Sequence, residues 1–521
     1  MDITLFAISM ALFAGVFTLI GYLGYKKTKT AEDYYVAGRK MGPIVIAFSY
    51  GATFISAVAL IGFSGIASIY GLSLLWLAFL NIFVGILIAF IFFGFRTRKM
   101  GLSLKSLTLP ELFGNRFNSK GLQATSGLII AIFMIVYTTA VFLAIASLFV
   151  ITFGIPYWVC VVIFTLIVGI YLIVGGLYAV MWTHAIQGIV MLVGMLILTV
   201  GVYWMLGGIG PAHEAAAALT PQNLVDMGWT SVPDGFTSLT SMPEAFSPAF
   251  MLLLTLIFGV GIGVLAQPQL VVRYLSAKSE RALRRAIPFG GIFILLMTFT
   301  AFSIGPLCNV LMINNGISYP GTPDQVVPLI VNELFPPWFV VLFLFAILSA
   351  AMSTASALFH TAGASIGRDV CEKGFMKKCS EKKSLMITRL ATLIIVFITL
   401  IISLNPPAVV AILTSFFFGL MAVTFLAPYT LMLYWKKTSR VGVWAGMLGG
   451  FIFTILWYMF IYASTASKII GSSVISTHLI NLLDPLFIGL PLSFILTIVF
   501  SLIFKQDTEE NKSMKLAFEN I

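Results

Sequence analysis

The feature that most constrains this chain is a series of apolar stretches, each roughly 20 residues or longer. Lipid supplies no partners for backbone polar groups, so a spanning segment is either a helix or a strand of a closed barrel. Barrel strands alternate in polarity over about 10 residues, and these stretches do not alternate. The sequence therefore predicts an all-α, polytopic membrane protein with about 13 transmembrane helices, at residues 3–25, 43–67, 72–95, 124–152, 156–178, 180–206, 248–270, 287–314, 337–365, 386–404, 407–434, 441–463 and 485–504.

The composition supports this prediction. Of 521 residues, 60% are hydrophobic and only 9% are charged, and the mean hydropathy is +1.05. Soluble domains carry about 25% charged residues. The first stretch begins "MDITLFAISM", without the basic segment of a signal peptide, so we expect it to be a true spanning helix.

Lysine and arginine are concentrated in alternate loops, which predicts the orientation in the membrane. With the N-terminus outside, the inner segments contain 29 of the 30 Lys and Arg residues, and only Lys468 is outside. Cytoplasmic loops are enriched in these residues, so we expect an external N-terminus, a cytoplasmic C-terminus and a cell-membrane location. The net charge of +11 then reflects topology, and we expect no nucleic-acid partner. The Lys and Arg residues of the inner segments number five in 25–42, six in 96–123, five in 271–286, seven in 366–389, three in 435–440 and three in 505–521.

Two glycine-interrupted helices open corresponding groups of five helices. The second helix contains "SYGATFISAVALIGFSG" and the seventh contains "FGVGIGVLAQPQ". Five helices per group would give the two groups opposite orientations, as in transporters with inverted repeats and broken helices, although glycine also serves close helix packing. We expect a first helix and inner loop (1–42), repeat 1 with helices 2–6 (43–206), an outer loop (207–247), repeat 2 with helices 7–11 (248–435), and helices 12–13 with a cytoplasmic tail (436–521).

No acidic residue is predicted at mid-membrane depth. All 19 Asp and Glu residues fall in loops or near helix ends. This argues against a carboxylate proton relay and against a charged pore ring, so a passive channel is disfavoured. No mid-membrane nucleophile–base pair, metal cluster or phosphate loop is visible, and we expect neither enzymatic activity nor an organic cofactor.

The ninth predicted helix contains an unusual run of hydroxyls among small residues, "AILSAAMSTASALFH". Small residues favour close helix packing in lipid, which is one explanation. The other is a cation site, because hard cations prefer oxygen ligands. Ala350, Ser353 and Thr354 have the spacing to offer one carbonyl and two hydroxyls to a sodium ion.

Two histidines are predicted within the membrane, His184 and His360. Histidine titrates near neutral pH, so both are candidates for proton binding or coupling. The alternative is a structural histidine that is hydrogen-bonded to a neighbouring backbone or hydroxyl group.

Several motifs, in order, resemble the sodium:solute symporter family. They are "AEDYYVAGRKMGP" leading into "SYGATFIS", "GGLYAVMWTHAIQG", "QPQLVVRYLSA", and "LFPPWF" followed by "AILSAAMSTAS", and together they cover nearly the whole chain. The resemblance implies a leucine-transporter-like 5+5 inverted-repeat fold and a function as a sodium-driven symporter.

The resemblance also implies site residues. A transported sodium ion would be bound by the carbonyls of Ala52 and Ile55 together with Ala350, Ser353 and Thr354. Phe416–Phe418 would cap the solute cavity, unless this aromatic run faces lipid. The solute would contact Thr53, Phe54, Ser56, Ala57, Val260, Gly261, Val264 and Gln267.

Two departures from the family pattern affect the expected substrate and coupling ion. Many members, notably proline carriers, have aspartate where this chain has Phe54, which weakens a proline assignment. Many also have aspartate at the position of His184, so a second sodium site is in doubt. We therefore expect one sodium per solute, or protons that replace or supplement sodium.

The expected function is sodium-coupled uptake of a small organic carboxylate. The pattern "ATFISAVALIGFSG" and the "GIPY" before the fifth helix most resemble carriers of pantothenate and monocarboxylates. The alternatives are a proton-coupled carrier of the same fold and a sodium symporter for proline, another amino acid or a sugar. The expected partners are the solute and the lipid bilayer, and the sequence leaves the oligomeric state open.

Overall fold

A computed structural model describes residues 3–219, 235–240, 242–375, 380–405, 410–475 and 479–519. These residues form helices joined by short turns, with one isolated parallel β-bridge between Met41 and Ala277. Part of the predicted outer loop, at residues 220–234 and 241, lies outside the described residues.

The helices of the first half match the predicted stretches closely. 3-10 or π-helical segments lie between several of them, at Ala37–Arg39, Val58–Gly62, Gly71–Leu74 and Phe83–Gly94. The α-helices are α1 Ile3–Lys27, α2 Ala31–Val36, α3 Pro43–Phe54, α4 Phe63–Tyr70, α5 Leu75–Ile82, α6 Phe95–Ser103, α7 Leu109–Arg116, α8 Lys120–Phe153, α9 Tyr157–Met205 and α10 Ile209–Ala217.

The second half continues the same pattern, with 3-10 or π-helical turns at Val264–Ala266, Pro323–Gln325, Ser365–Phe375 and Ala422–Leu426. Its α-helices are α11 Pro248–Gly263, α12 Pro268–Ser276, α13 Glu280–Asn314, α14 Val326–Leu334, α15 Pro337–Ala364, α16 Glu381–Ser403, α17 Val410–Met421, α18 Ala427–Tyr434, α19 Arg440–Phe460, α20 Ala463–Ile469, α21 Leu486–Ile503 and α22 Thr508–Phe518.

The all-α membrane fold is confirmed. Among the described residues, ten helical segments are long and apolar enough to cross a bilayer, and Pro43–Phe54 and Tyr157–Gly169 are shorter apolar helices. The helical path of α9 is kinked at Gly176, where φ is +58°, a conformation that glycine adopts without steric cost. The count of 13 spans stays a prediction.

Two helices are broken at the positions that the glycine pattern indicated. α3 ends at Phe54, and Ile55 has extended backbone angles (φ −82°, ψ 97°) before the helix resumes at Val58. The second break is at Gln267 (φ −81°, ψ 110°). Proline at position 268 explains this break, because the residue before a proline is disfavoured in the helical region.

The hydroxyl-rich helix α15 lies at the centre of the bundle. Of its most apolar 18-residue stretch, 94% is buried inside the protein. The helix packs against α8, α9 and the broken helix α3. A central helix cannot expose its hydroxyl groups to water. They must therefore pair within the protein or bind a solute or ion.

The Lys/Arg-rich segments lie on one face of the molecule, which we call the basic face: residues 25–42, 96–123, 271–286, 366–375 with 380–389, 435–440 and 505–519. Arg39 donates to the carbonyls of Ser106 (2.8 Å) and Leu275 (3.2 Å). Arg368 pairs with Glu111 at 2.8 Å. Two further contacts join the remaining segments: Arg116 donates to the Lys436 carbonyl (3.5 Å), and Arg440 pairs with Asp507 (2.7 Å).

Candidate functional site

The first helix break meets α15 through oxygen atoms. The Ser353 hydroxyl donates to the Ala52 carbonyl (2.7 Å) and also lies 3.0 Å from the Ala350 carbonyl of its own helix. The Thr354 hydroxyl donates to the Thr53 carbonyl (3.1 Å). All five residues are buried.

This contact gathers carbonyl and hydroxyl oxygens without a carboxylate. The last carbonyls of a helix have no intrahelical partner, which is why those of Ala52 and Thr53 are free to face α15. Of the predicted sodium ligands, the structure therefore brings together Ala52, Ala350, Ser353 and Thr354. Ile55 is adjacent in the break and donates its N–H to Gly51, while Thr53 supplies the carbonyl opposite Thr354.

Beside this oxygen cluster is a small internal cavity of ≈ 20 Å³. A volume of this size holds about one water molecule, so it is too small for an organic solute. The walls are predominantly apolar and aromatic, with polar groups on Ser56, Asn81, Tyr137 and Thr414. The lining residues are Phe54, Ile55, Ser56, Val58, Ala59, Phe63, Leu77, Asn81, Tyr137, Val260, Phe302, Thr414 and Phe418.

Three of the predicted solute contacts, Phe54, Ser56 and Val260, line this cavity. Val264 is close to the cavity-lining Phe54, because both side chains approach Gly85. A Cβ added at Gly85 would lie within 3.7 Å of each. Ala57 is buried in the break itself.

The other predicted contacts lie elsewhere. Gly261 packs against Leu80. Gln267 donates to the Gly263 carbonyl (3.0 Å) and accepts from Gln269 (3.1 Å). The hydroxyl of Thr53 points into a separate polar cluster, described below.

Aromatic rings close one side of the cavity. Tyr137 stacks on Phe417 (ring centroids 4.8 Å apart) and meets Phe418 edge-on (5.3 Å). Phe54 and Phe418 face each other at 6.4 Å. Phe418 therefore has the position predicted for a cap, whereas Phe416 packs on Tyr458.

A second polar cluster, the arginine cluster, lies next to the oxygen cluster and consists of Arg273, His184, Ser49 and Thr53. The Arg273 guanidinium donates to the hydroxyls of Thr53 (2.9 Å) and Ser49 (3.3 Å) and lies 3.3 Å from Nδ1 of His184. It also donates to the Gln269 carbonyl. Thr53 belongs to both clusters, because its carbonyl faces Thr354 and its hydroxyl faces Arg273.

The contacts of His184 indicate which ring nitrogen carries the proton. Arg273 can only donate, so Nδ1 of His184 acts as the acceptor. Nε2 then carries the hydrogen and donates to Ser356 (2.9 Å). A doubly protonated imidazole would place two positive charges 3.3 Å apart in a buried site, which is strongly unfavourable without an anion.

His360 is hydrogen-bonded to the backbone near the basic face. Its Nε2 donates to the Tyr34 carbonyl (3.0 Å), and the two rings are 5.4 Å apart. These contacts join α15 to α2.

Arg273, Tyr137 and Asn81 are site residues that the sequence analysis did not single out. The Lys/Arg pattern groups Arg273 with the inner segment 271–286. In the structure, α12 continues to Ser276 and buries this side chain completely. The available signal was its position six residues after Gln267 in "QPQLVVRYLSA", within two turns of the second break. For Tyr137 and Asn81, a single polar residue in an apolar run gives no indication of the direction in which it points.

Comparison with known proteins gives a consistent result. The sodium:solute symporter family matches residues 34–450. The chain is 28% identical over 453 residues to the osmoregulated proline transporter OpuE of Bacillus subtilis, covering 86% of this chain and 88% of OpuE. It is 29% identical over 461 residues to a sodium/proline symporter of Staphylococcus aureus, covering 87% of this chain and 86% of that symporter.

Solved structures share the fold. A Na⁺-coupled sialic acid symporter in a substrate-bound outward-open state superposes with a TM-score of 0.75 at 18% identity, covering 96% of this chain and 98% of the symporter. Mhp1, a nucleobase-cation-symport-1 family transporter, gives a TM-score of 0.50 at 15% identity, covering 93% of this chain and 98% of Mhp1. These similarities support the leucine-transporter-like architecture.

Proposed function

Because the chain belongs to the sodium:solute symporter family, we propose that it couples inward sodium flux to uptake of a small organic carboxylate, such as a monocarboxylate or pantothenate. The observation that carries this proposal is the contact between the broken helix α3 and the Ser353–Thr354 hydroxyl pair. We place the protein in the cell membrane with its N-terminus outside and its basic face in the cytoplasm, following the Lys/Arg distribution.

Sodium would bind between the break and α15. The proposed ligands are the carbonyls of Ala52, Ile55 and Ala350 and the hydroxyls of Ser353 and Thr354. A hydroxyl that donates to a carbonyl still has lone pairs, so a cation between the two groups is bound by both oxygens. The oxygen-only set suits a hard monovalent ion.

The break links the ion to the solute. Residues 55–57 follow directly after the carbonyls at the ion site, and Ser56 lines the cavity. An ion that binds this arrangement better than its alternatives shifts the population toward it. One charge crossing 100 mV is worth ~2.3 kcal/mol, which corresponds to roughly fifty-fold accumulation of a neutral solute.

The chemistry of the break favours a carboxylate. Among the described residues, the backbone N–H groups of Ser56 and Ala57 donate no hydrogen bond. Unpaired N–H groups at a helix break bind anionic groups, as helix N-termini do. The cavity must enlarge to admit an organic solute, and movement of the Phe418 ring away from Phe54 would open it.

Proline is the second candidate solute, because the relatives reported above are named as proline transporters. Phe54 argues against it, since the aspartate that many proline carriers have at this position is absent. A proton-coupled carrier is the alternative for the driving ion. In that case His184 would bind the proton, which its contact with Arg273 opposes.

The test is uptake into proteoliposomes under separate sodium, proton and electrical gradients. We expect sodium-driven accumulation of pantothenate or of a monocarboxylate, with little accumulation of proline. Uptake driven by a proton gradient in the absence of sodium would contradict sodium coupling. Sodium-driven uptake of proline alone would contradict the carboxylate assignment.

A His184→Gln variant tests the coupling ion in the same assay. If His184 contributes to proton coupling or to the sodium stoichiometry, this substitution changes the pH profile or the sodium dependence of uptake. If both are unchanged, protons do not act through this residue, and the single oxygen cluster accounts for the coupling.

A further inference from the structure

Arg273 is a buried cation that has no carboxylate partner among the residues that the structure describes. Its side chain is inaccessible to solvent, and its hydrogen-bond partners are the neutral groups of Ser49, Thr53, His184 and the Gln269 backbone. In the part of the chain that the structure describes, none of the ion pairs includes Arg273. A buried charge is normally paired, so Arg273 needs an explanation that the sodium site does not supply.

The surroundings of Arg273 also have unused hydrogen-bonding capacity. The side-chain oxygen of Gln269 is buried without a partner, and so are both amide atoms of Gln187. Gln269 is one turn from Arg273 on α12, and Gln187 is about one turn from His184 on α9. Buried polar atoms are rarely left unpaired in proteins, so these atoms indicate that a polar ligand or water belongs here.

The donors converge from three helices. Ser49 and Thr53 are one turn apart on α3, Arg273 is on α12, and His184 is on α9. Both hydroxyls can rotate to donate, since a hydroxyl is both a donor and an acceptor. A guanidinium fork with two hydroxyl donors is a suitable binding group for a carboxylate or a halide.

The arginine cluster is also directly connected to the proposed sodium site. Thr53 contacts Arg273 through its hydroxyl (2.9 Å) and Thr354 through its carbonyl (3.1 Å). A positive charge this close opposes the binding of a cation. An anion beside Arg273 would cancel that opposition, so that sodium and the anion favour each other's binding.

We propose that the arginine cluster binds a monovalent anion, either the carboxylate of the transported solute or chloride, and that this anion strengthens sodium binding. The link to sodium rests on the proposed function, whereas the anion site itself does not. A carboxylate at position 184 would neutralise Arg273 from within the protein. Because this chain has the neutral His184 there, the neutralising charge has to come from a bound anion.

The test measures thermal unfolding of the purified full-length protein at a fixed, saturating sodium concentration. The anion is changed from a bulky sulfonate to chloride in one series and to acetate in a second series, at constant ionic strength. We expect a saturable rise in the unfolding temperature in at least one series, because a ligand specific for the folded state stabilises it. Chloride alone would assign the site to an inorganic anion, and acetate alone to the solute carboxylate.

Variants at position 184 make the result specific. His184→Asp places a carboxylate beside Arg273 and should abolish the anion effect while raising the unfolding temperature in sulfonate. His184→Asn, the matched control without charge, should retain the anion effect. Arg273→Gln should also abolish it, and the His184→Asp result decides the question if that variant does not fold.

The anion proposal is overturned if neither anion stabilises the wild-type protein, or if His184→Asp responds to anions as His184→Asn does. Sodium titrations in sulfonate and in the stabilising anion separate this result from the proposed function. Sodium stabilisation that is equal in both anions overturns the coupling between the two sites. Anion stabilisation without any sodium effect supports the anion site and contradicts sodium symport.

Discussion

Asp324 is a buried carboxylate in the Pro323–Gln325 turn before α14, and its protonation should control how readily this segment opens. Burial raises its pKa from 3.8 to about 6, and a backbone hydrogen bond from Val410 offsets this only in part. Tyr319 is close enough to interact with it: burial, and then the Asp324 carboxylate, raise the pKa of Tyr319 to about 12. The preceding Pro323 carbonyl packs against Gly65 of α4, so the segment covers the part of the broken helix that follows the break.

The expected energy follows from the two pKa values. A conformation that exposes Asp324 to water restores a pKa of 3.8. Between about pH 4 and pH 6 the buried form binds more protons than the exposed form, so acidification favours the closed, buried form. Lowering the pH from about 7.5 to about 5 should stabilise that form by ~1.4 kcal/mol, or about tenfold. Asp324→Asn should remove a penalty of about 3 kcal/mol at neutral pH.

Hydrogen–deuterium exchange measures this opening directly, after correction for the intrinsic pH dependence of exchange. We expect α4 and α14 to exchange about tenfold more slowly at the lower pH, and to lose this pH dependence in Asp324→Asn. Asp484 supplies a matched control, because it is also buried with a pKa raised to about 6 and bonds instead to Tyr458 (2.8 Å). Asp484→Asn should leave the pH response of α4 intact. The reasoning is refuted if Asp324→Asn retains that response, or if α4 opens more readily at neutral pH in this variant than in the wild type.

Two further substitutions test the buried ion pair of Arg368 and the packing of α4 against Pro323. Glu111→Gln leaves the buried Arg368 without its closest carboxylate (2.8 Å), and it should destabilise the folded protein by about 3 kcal/mol in thermal unfolding. Gly65→Ala places a methyl group against the Pro323 carbonyl, and it should lower the unfolding temperature and the rate of uptake, whereas Gly15→Ala, where the added group meets no neighbour within 4 Å, should be nearly neutral.

Each of these two predictions has a clear contradictory outcome. The pair between Lys512 and Glu509 is exposed, so Glu509→Gln should cost less than about 1 kcal/mol. A Glu111→Gln variant as stable as this control would show that the buried pair contributes little. Uptake by Gly65→Ala at the wild-type rate would show that the segment before α14 does not pack against α4 during transport.

The apolar helices, the two breaks and the polar character of α15 could be predicted from the sequence because each rests on a local pattern. Length and apolarity indicate the apolar helices, the interrupting glycines indicate the breaks, and the hydroxyl run marks α15 as a helix that either packs closely or binds a cation. The distribution of Lys and Arg predicted one common face, and the contacts of Arg39 and Arg368 join its segments.

The directions of individual side chains could not be predicted. A helix break changes the rotation of the chain, so no periodicity indicates that Thr53 turns toward Arg273 while Ser56 turns toward the cavity. Arg273 resembles a loop arginine in the sequence, because Lys278 and several arginines follow it closely. Its burial depends on α12 continuing to Ser276 within the bundle, which is a property of the tertiary packing.

Sodium binding at the contact between α3 and α15 is the central claim, and thermal unfolding tests it most directly. Potassium is exchanged for sodium at constant ionic strength, for the wild type, for the double variant Ser353→Ala/Thr354→Ala, and for Ser147→Ala, whose hydroxyl donates to the Leu143 carbonyl of its own helix. We predict saturable stabilisation by sodium, reaching ~2.7 kcal/mol at about 100 times the dissociation constant, in the wild type and in Ser147→Ala but not in the double variant. Equal behaviour in sodium and potassium, or full sodium stabilisation of the double variant, would contradict the claim.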